Sequence, residues 1–132
     1  MIIAQTYDLC VKERIRNKRL EKYLIETKSI YWSYLYARNV MKMRWLEAED
    51  LFKDHYSISF DYAVYVIKGR FQKGEDVIAT DGQYSYNYAV DILDDAFEKC
   101  HPMIFKTFFK DQYIDFLKEK NYDLNKINEW LI

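Results

Sequence analysis

The stretch Ser59-Phe60-Asp61-Tyr62-Ala63-Val64-Tyr65-Val66-Ile67-Lys68-Gly69-Arg70-Phe71 decides the fold, because much of it is written three times. Tyr-Ala stands at 36–37, 62–63 and 88–89, a step of 26 residues. Ser33, Ser59 and Ser85 keep the same step, as do the aromatics Tyr34, Phe60 and Tyr86. So do the branched Val40, Val66 and Ile92, and a second aromatic column of Trp45, Phe71 and Phe97. Arg44 matches Arg70, and Glu49-Asp50 matches Glu75-Asp76. In the third copy Ala96 stands in place of the arginine, and His101-Pro102 in place of the acidic pair. Self-similarity at a fixed period is the mark of a repeat architecture.

One copy reads as a longer helix, a tight turn and a short helix. Phe60, Ala63, Val66 and Ile67 fall at i, i+3, i+6 and i+7, one apolar helical stripe, with Tyr62 beside it. The run Tyr62 to Ile67 has strand propensity, but the helical columns outweigh it. Ser59 is placed to cap the helix N-terminus. Gly69 suits a left-handed residue at its end. Glu75-Asp76-Val77-Ile78 reads as the short helix, its acids near the positive N-terminus. Asp81-Gly82 is a turn that restarts the pattern. A single copy cannot bury its apolar face, whereas stacked copies can.

The predicted fold class is therefore all-α: tandem helix-turn-helix repeats of about 26 residues in a small stacked array, closed by N- and C-terminal capping helices. The 132 residues suit a single domain. Residues 1–30 are expected to form an N-terminal capping helix, drawn as one long helix over 3–28 that carries Tyr7, Cys10, Val11, Ile15, Leu20, Tyr23 and Leu24. Residues 31–108 hold the repeats. Residues 109–132 hold two capping helices, from Gln112 to Glu119 with Ile114 and Leu117 inward, and from Asn125 to Ile132 with Ile127, Trp130 and Leu131 inward. The expectation is eight or nine helical segments in all. Three Gly and one Pro leave little material for hairpins.

Composition excludes several classes. Aromatic residues make up 18% of the chain, far from a disordered composition. A net charge of −1 gives no global pull toward nucleic acid or anionic lipid. No apolar run approaches the roughly 20 residues of a membrane span, and the N-terminus lacks a signal-peptide pattern. Two cysteines, Cys10 and Cys100, make no disulfide framework. The expected location is cytoplasmic, with no membrane partner.

Residues 33–105 thus carry Ser-x-aromatic-x-Tyr-Ala-x-x-Val, then Arg-aromatic, then Glu-Asp. This resembles short helical repeats of uncharacterised bacteriophage and giant-virus proteins, which read Tyr-Ala-x-x-Val-Ile-x-Gly-Arg-aromatic followed by an acidic pair. The first copy departs at Met43, where Gly is usual, and the third lacks the Gly-Arg pair. The resemblance implies a viral origin, the host cytoplasm as location and a role against the host, such as an anti-CRISPR-like inhibitor. It carries over no catalytic residue.

The candidate sites follow from these patterns. Tyr36, Ala37, Arg44, Glu49, Tyr62, Ala63, Arg70, Glu75, Tyr88 and Ala89 are read as the structural repeat. Its Arg–Glu columns are expected to form paired ladders, with Arg70 buried against a carboxylate. Trp32, Tyr56, Tyr65 and Tyr84 lie outside the main stripe and are candidate partner-binding residues, since tyrosine and tryptophan anchor interfaces. Lys12, Arg14, Arg16, Lys18, Arg19 and Lys22 cluster on the first helix and are candidate phosphate contacts. His55, Cys100 and His101 show no metal-ligand spacing. Asp91, Asp94 and Asp95 read as a solvated acidic face, and no glycine-rich phosphate loop is present. No catalytic, metal or cofactor residue is assigned. The expected function is non-enzymatic binding of a host defence or regulatory protein. The alternative is an RNA- or DNA-binding module built on the basic first helix. The oligomeric state is left open.

Overall fold

The structure, a computed structural model, describes residues 2–132. Among the described residues there are ten α-helices, three π-helical turns and two 3₁₀ turns, and no strand. The chain opens with α1 (Ile3–Glu13) and α2 (Lys18–Glu26). Three similar passages follow. α3 (Ile30–Tyr36) runs into a π-helical turn at Ala37–Met41, and α4 (Leu46–Phe52) follows it. α5 (Tyr56–Tyr62) runs into the turn Ala63–Ile67, and a 3₁₀ turn at Gln72–Gly74 leads into α6 (Glu75–Ile78). α7 (Gly82–Asn87) runs into the turn Tyr88–Leu93, and a 3₁₀ turn at Glu98–Cys100 leads into α8 (His101–Ile104). α9 (Lys110–Glu119) and α10 (Leu124–Leu131) end the chain.

Each passage packs on its neighbours: α3 touches α2, α4 and α5, while α5 touches α4, α6 and α7. The core is the repeated aromatic set. Tyr36, Tyr62, Tyr88 and Tyr113 are wholly buried, as are Ala37, Ala63 and Ala89. Trp45, Phe71 and Phe97 are buried and lean on those tyrosines, with ring centroids 5.4 Å (Tyr36–Trp45), 5.0 Å (Tyr62–Phe71) and 5.0 Å (Tyr88–Phe97) apart. Burying such rings supplies most of the stabilisation available to a short chain.

Several local expectations are corrected. The segment 3–28 is not one helix. Arg14 takes a left-handed conformation (φ 55°) that ends α1, and the Asn17 side chain caps α2 by accepting from the Leu20 N–H at 2.9 Å. The break leaves Val11 and Ile15 exposed rather than inward. It also spreads the basic residues over α1, the connecting turn and α2, not one helix face. Leu131 of α10 is likewise exposed, whereas Ile127 is buried.

Gly69 is not the left-handed residue; Lys68 is (φ 59°), as are Lys42 and Asp94 in the same column. The π-turn explains the shift, because the N–H groups of both Lys68 and Gly69 close on the Ala63 carbonyl, so the chain turns one residue earlier. Ser59 does not cap α5 either. His55 occupies that position, and Ser59 sits mid-helix, donating to the Phe52 carbonyl at 2.6 Å. Asp81 does cap α7, accepting from the Tyr84 N–H at 2.9 Å. The glycine that the packing requires is Gly74. A Cβ there would lie 2.7 Å from Phe71 Cδ2 and 2.7 Å from Ser59 Cβ. Its column holds Ala48 and Cys100, also small residues.

Candidate functional site

The charged columns assemble into one recurring device. Arg44 donates from Nε and Nη2 to both oxygens of Glu49, at 2.9 and 2.8 Å, and Arg70 does the same to Glu75, at 2.6 and 3.0 Å. From the following passage Tyr62 reaches back and donates its hydroxyl proton to Glu49 at 2.7 Å, and Tyr88 donates to Glu75 at 2.7 Å. The same hydroxyls accept backbone N–H groups, Tyr62 from Trp45 at 2.9 Å and Tyr88 from Phe71 at 3.0 Å. Every polar atom at the tyrosine tip is thus paired, which is the condition for burying it at low cost.

The device has a third and a fourth instance. Arg16 grips Glu21 at 3.0 and 2.7 Å, while Tyr36 donates to Glu21 at 2.5 Å and accepts the Asn17 N–H at 2.9 Å. The readable signal was the spacing Arg-x-x-x-x-Glu, present at 16/21, 44/49 and 70/75. The first of these lies 28 rather than 26 residues before the next. At the other end Tyr113 accepts the Phe97 N–H at 2.8 Å, and its hydroxyl lies 2.6 Å from His101 Nε2. His101 therefore fills the glutamate's place, with no cation opposite because Ala96 fills the arginine's.

The electrostatics differ accordingly. Burial alone would raise the Glu21 and Glu49 carboxyls, but their arginine and tyrosine hydrogen bonds outweigh it and hold both below the usual carboxylate range. Burial, then the carboxylate partner, pushes Tyr36, Tyr62 and Tyr88 well above the usual phenol range. His101 has only burial acting on it, and its pKa drops to about 4. Burial also lifts the Cys100 thiol to about 12, so it is a protonated, inert thiol at neutral pH.

Glu49 and Glu75 are 0% and 1% exposed, whereas the Arg44 and Arg70 side chains are 46% and 54% exposed. The expectation of a buried arginine is corrected: the carboxylate is the buried member, and the arginine lids it from the surface. A second, outer ladder joins successive passages through Lys73–Asp50 at 3.5 Å and Lys99–Asp76 at 2.9 Å, both exposed and therefore weak.

The partner-binding candidates divide. Trp32 is half-buried, edge-on to Tyr7 at 5.3 Å. Tyr84 is half-buried between Tyr56 (5.4 Å) and Phe60 (5.2 Å). Tyr56 and Tyr65 are exposed, 43% and 48%. Arg38 lies over the Tyr65 ring at 4.0 Å, and Tyr65 borders a groove of about 530 Å³ with Phe60, Val64, Ile92, Lys68 and Asp91. Lys12, Arg14, Lys18, Arg19 and Lys22 are exposed, while Arg16 is engaged with Glu21. His55 is exposed at the start of α5 and does not pair with Cys100 or His101. Asp94 and Asp95 are held by Lys120 and Tyr122, each at 2.5 Å. Among the described residues no helix is long and apolar enough to cross a membrane. The chain matches no family model, no curated protein and no solved structure.

Proposed function

We propose that the chain is a non-enzymatic protein-binding scaffold, and that the viral resemblance of its repeat makes the partner a host defence or regulatory protein. One observation carries this reading. The repeat holds Tyr65 half-exposed at a groove that joins the apolar Phe60, Val64 and Ile92 with the polar Lys68, Asn87 and Asp91, with Arg38 stacked on its ring. Tyrosine and arginine beside such a groove are the residue types that dominate binding hot spots. A rigid stack presents them with little ordering cost.

The test is capture of partners from the natural host with wild-type protein, Tyr65→Ala and Tyr31→Ala. Tyr31 is also exposed but lies outside the groove. The reading expects one partner held by wild type and Tyr31→Ala and lost with Tyr65→Ala. Equal capture by all three proteins, or turnover of a substrate by the purified chain, defeats it. The second reading, nucleic-acid binding, draws on the exposed Lys12, Arg14, Lys18, Arg19 and Lys22. It predicts a complex in low salt that weakens steeply as salt rises.

A further inference from the structure

The C-terminal end of the stack holds a second groove, of about 430 Å³, unlike the first in its chemistry. Its floor is His101, its aromatic walls are Phe105 and Trp130, and its cations are Lys106 and Lys110, with Leu131 at the lip. The ring of His101 lies 5.0 Å from Phe105 and 4.6 Å from Trp130. No Asp or Glu side chain lines this space. Neither Lys106 nor Lys110 pairs with a carboxylate among the described residues.

His101 is the informative residue. It is 5% exposed, and it lines the groove. Its Nε2 is taken by the Tyr113 hydroxyl. In the three carboxylate instances the tyrosine accepts a backbone N–H and donates its own proton. Tyr113 likewise accepts from Phe97, and by analogy with those instances we assign it as the donor to Nε2. A neutral imidazole that accepts at Nε2 carries its hydrogen on Nδ1. That Nδ1–H has no hydrogen-bond partner among the described residues, and His101 faces the groove. A ring nitrogen that reaches a groove and has no protein partner is a group that a ligand can pair with.

We propose that this groove binds a small anion with a flat apolar body, of the aryl carboxylate or aryl phosphate class. The anionic group accepts from His101 Nδ1–H and is neutralised by Lys106 and Lys110. The ring lies between Phe105 and Trp130. The volume suits a ligand of this size, and a mostly apolar wall with a few convergent polar groups is the usual make-up of such sites. An anion at Nδ1 also favours the imidazolium that burial now disfavours.

The test is titration of the full chain with phenyl phosphate and with benzoate at neutral pH and low salt, followed by NMR of the His101 ring and the Trp130 indole. Benzyl alcohol and inorganic phosphate serve as the uncharged and the non-aromatic probes. Saturable shifts at both residues are expected with at least one aryl anion, and the two anions tell phosphate from carboxylate preference. The double variant Lys106→Met/Lys110→Met, which breaks no ion pair of the fold, should bind about fivefold or more weakly. Inorganic phosphate and benzyl alcohol should each bind weaker than the preferred aryl anion by a similar factor. The proposal is overturned by the absence of a saturable response to both aryl anions. It is equally overturned by a response unchanged in the double variant, or matched by either control probe.

Discussion

The middle of the molecule and its C-terminal end solve one problem in two ways. Around Tyr88 the buried acceptor is a charged carboxylate, Glu75, and a half-exposed Arg70 must accompany it. Around Tyr113 the acceptor is a neutral imidazole, His101, and the arginine position shrinks to Ala96. The comparison separates two requirements that the carboxylate version fuses. Joining successive passages needs only an acceptor for the tyrosine proton and a backbone N–H for its lone pair. The arginine answers a different need, the charge of a buried carboxylate, and disappears when that charge does. The imidazole version frees its second nitrogen to face a groove.

The sharpest way to break this comparison is to remove each acceptor. Glu75→Leu strands the Tyr88 hydroxyl and also removes the charged acceptor of the half-exposed Arg70, which returns to solvent, and should destabilise by about 2–4 kcal/mol in urea unfolding. His101→Leu strands only the Tyr113 hydroxyl and should lose about 1–3 kcal/mol. Equal losses would mean that the arginine contributes nothing beyond what the tyrosine link supplies.

Acid should part the two versions next. His101 has a folded pKa of about 4 against an unfolded value near 6.5, so between these the unfolded chain binds a proton that the folded chain refuses. Stability from this group is complete above pH 6.5 and falls as pH drops toward 4, by about 3 kcal/mol in all. Glu21 and Glu49 lie below their ordinary value of 4.5, so their contribution is present above that pH and is lost only below it. Unfolding free energy measured from pH 7 to 4 should therefore slope in wild type and flatten in His101→Gln, whose amide oxygen can still accept from Tyr113. A slope unchanged in the variant would remove His101 as its source.

Packing of the small columns should give the third effect. Ala63→Leu inserts bulk into a wholly buried site, and Gly74→Ala places a Cβ 2.7 Å from Phe71 and from Ser59. Each should lower stability by about 1–3 kcal/mol. Gly69→Ala is the control, with its nearest neighbouring atom 3.9 Å away, and should change stability by less than about 1 kcal/mol. A melting temperature for Ala63→Leu equal to wild type would contradict the close-packed column.

The serine column should give the smallest effect and extends the comparison to the N-terminal end. Ser59 and Ser85 donate to carbonyls of the preceding passage, Phe52 at 2.6 Å and Ile78 at 2.9 Å, whereas the buried Ser33 hydroxyl has no partner. Ser59→Ala should lose about 1 kcal/mol, while Ser33→Ala should be neutral or slightly stabilising. Matched losses would show that Ser33 has found a water or a carbonyl.

The sequence by itself determined the all-helical class, the period of 26 and the buried Tyr-Ala and Trp45/Phe71/Phe97 columns, because these rest on local periodicity repeated along the chain. The turn at Asp81-Gly82 and Glu75–Ile78 as a short helix were legible for the same reason, whereas the capping role of Asp81 emerged only with the structure. Other features depend on where the chain turns. Lys68 rather than Gly69 takes the left-handed position because a π-helical turn precedes it, and no composition rule announces that turn. That each tyrosine reaches back to the preceding passage's glutamate, 13 residues earlier at Tyr62 and Tyr88, follows only once the passages are stacked. The N-terminal instance hid behind its 28-residue spacing. The role of His101 hid behind a change of residue type, since an imidazole and a carboxylate share nothing in a sequence pattern. They are equivalent here because a hydroxyl proton, placed by tertiary structure, needs an acceptor at that point in space.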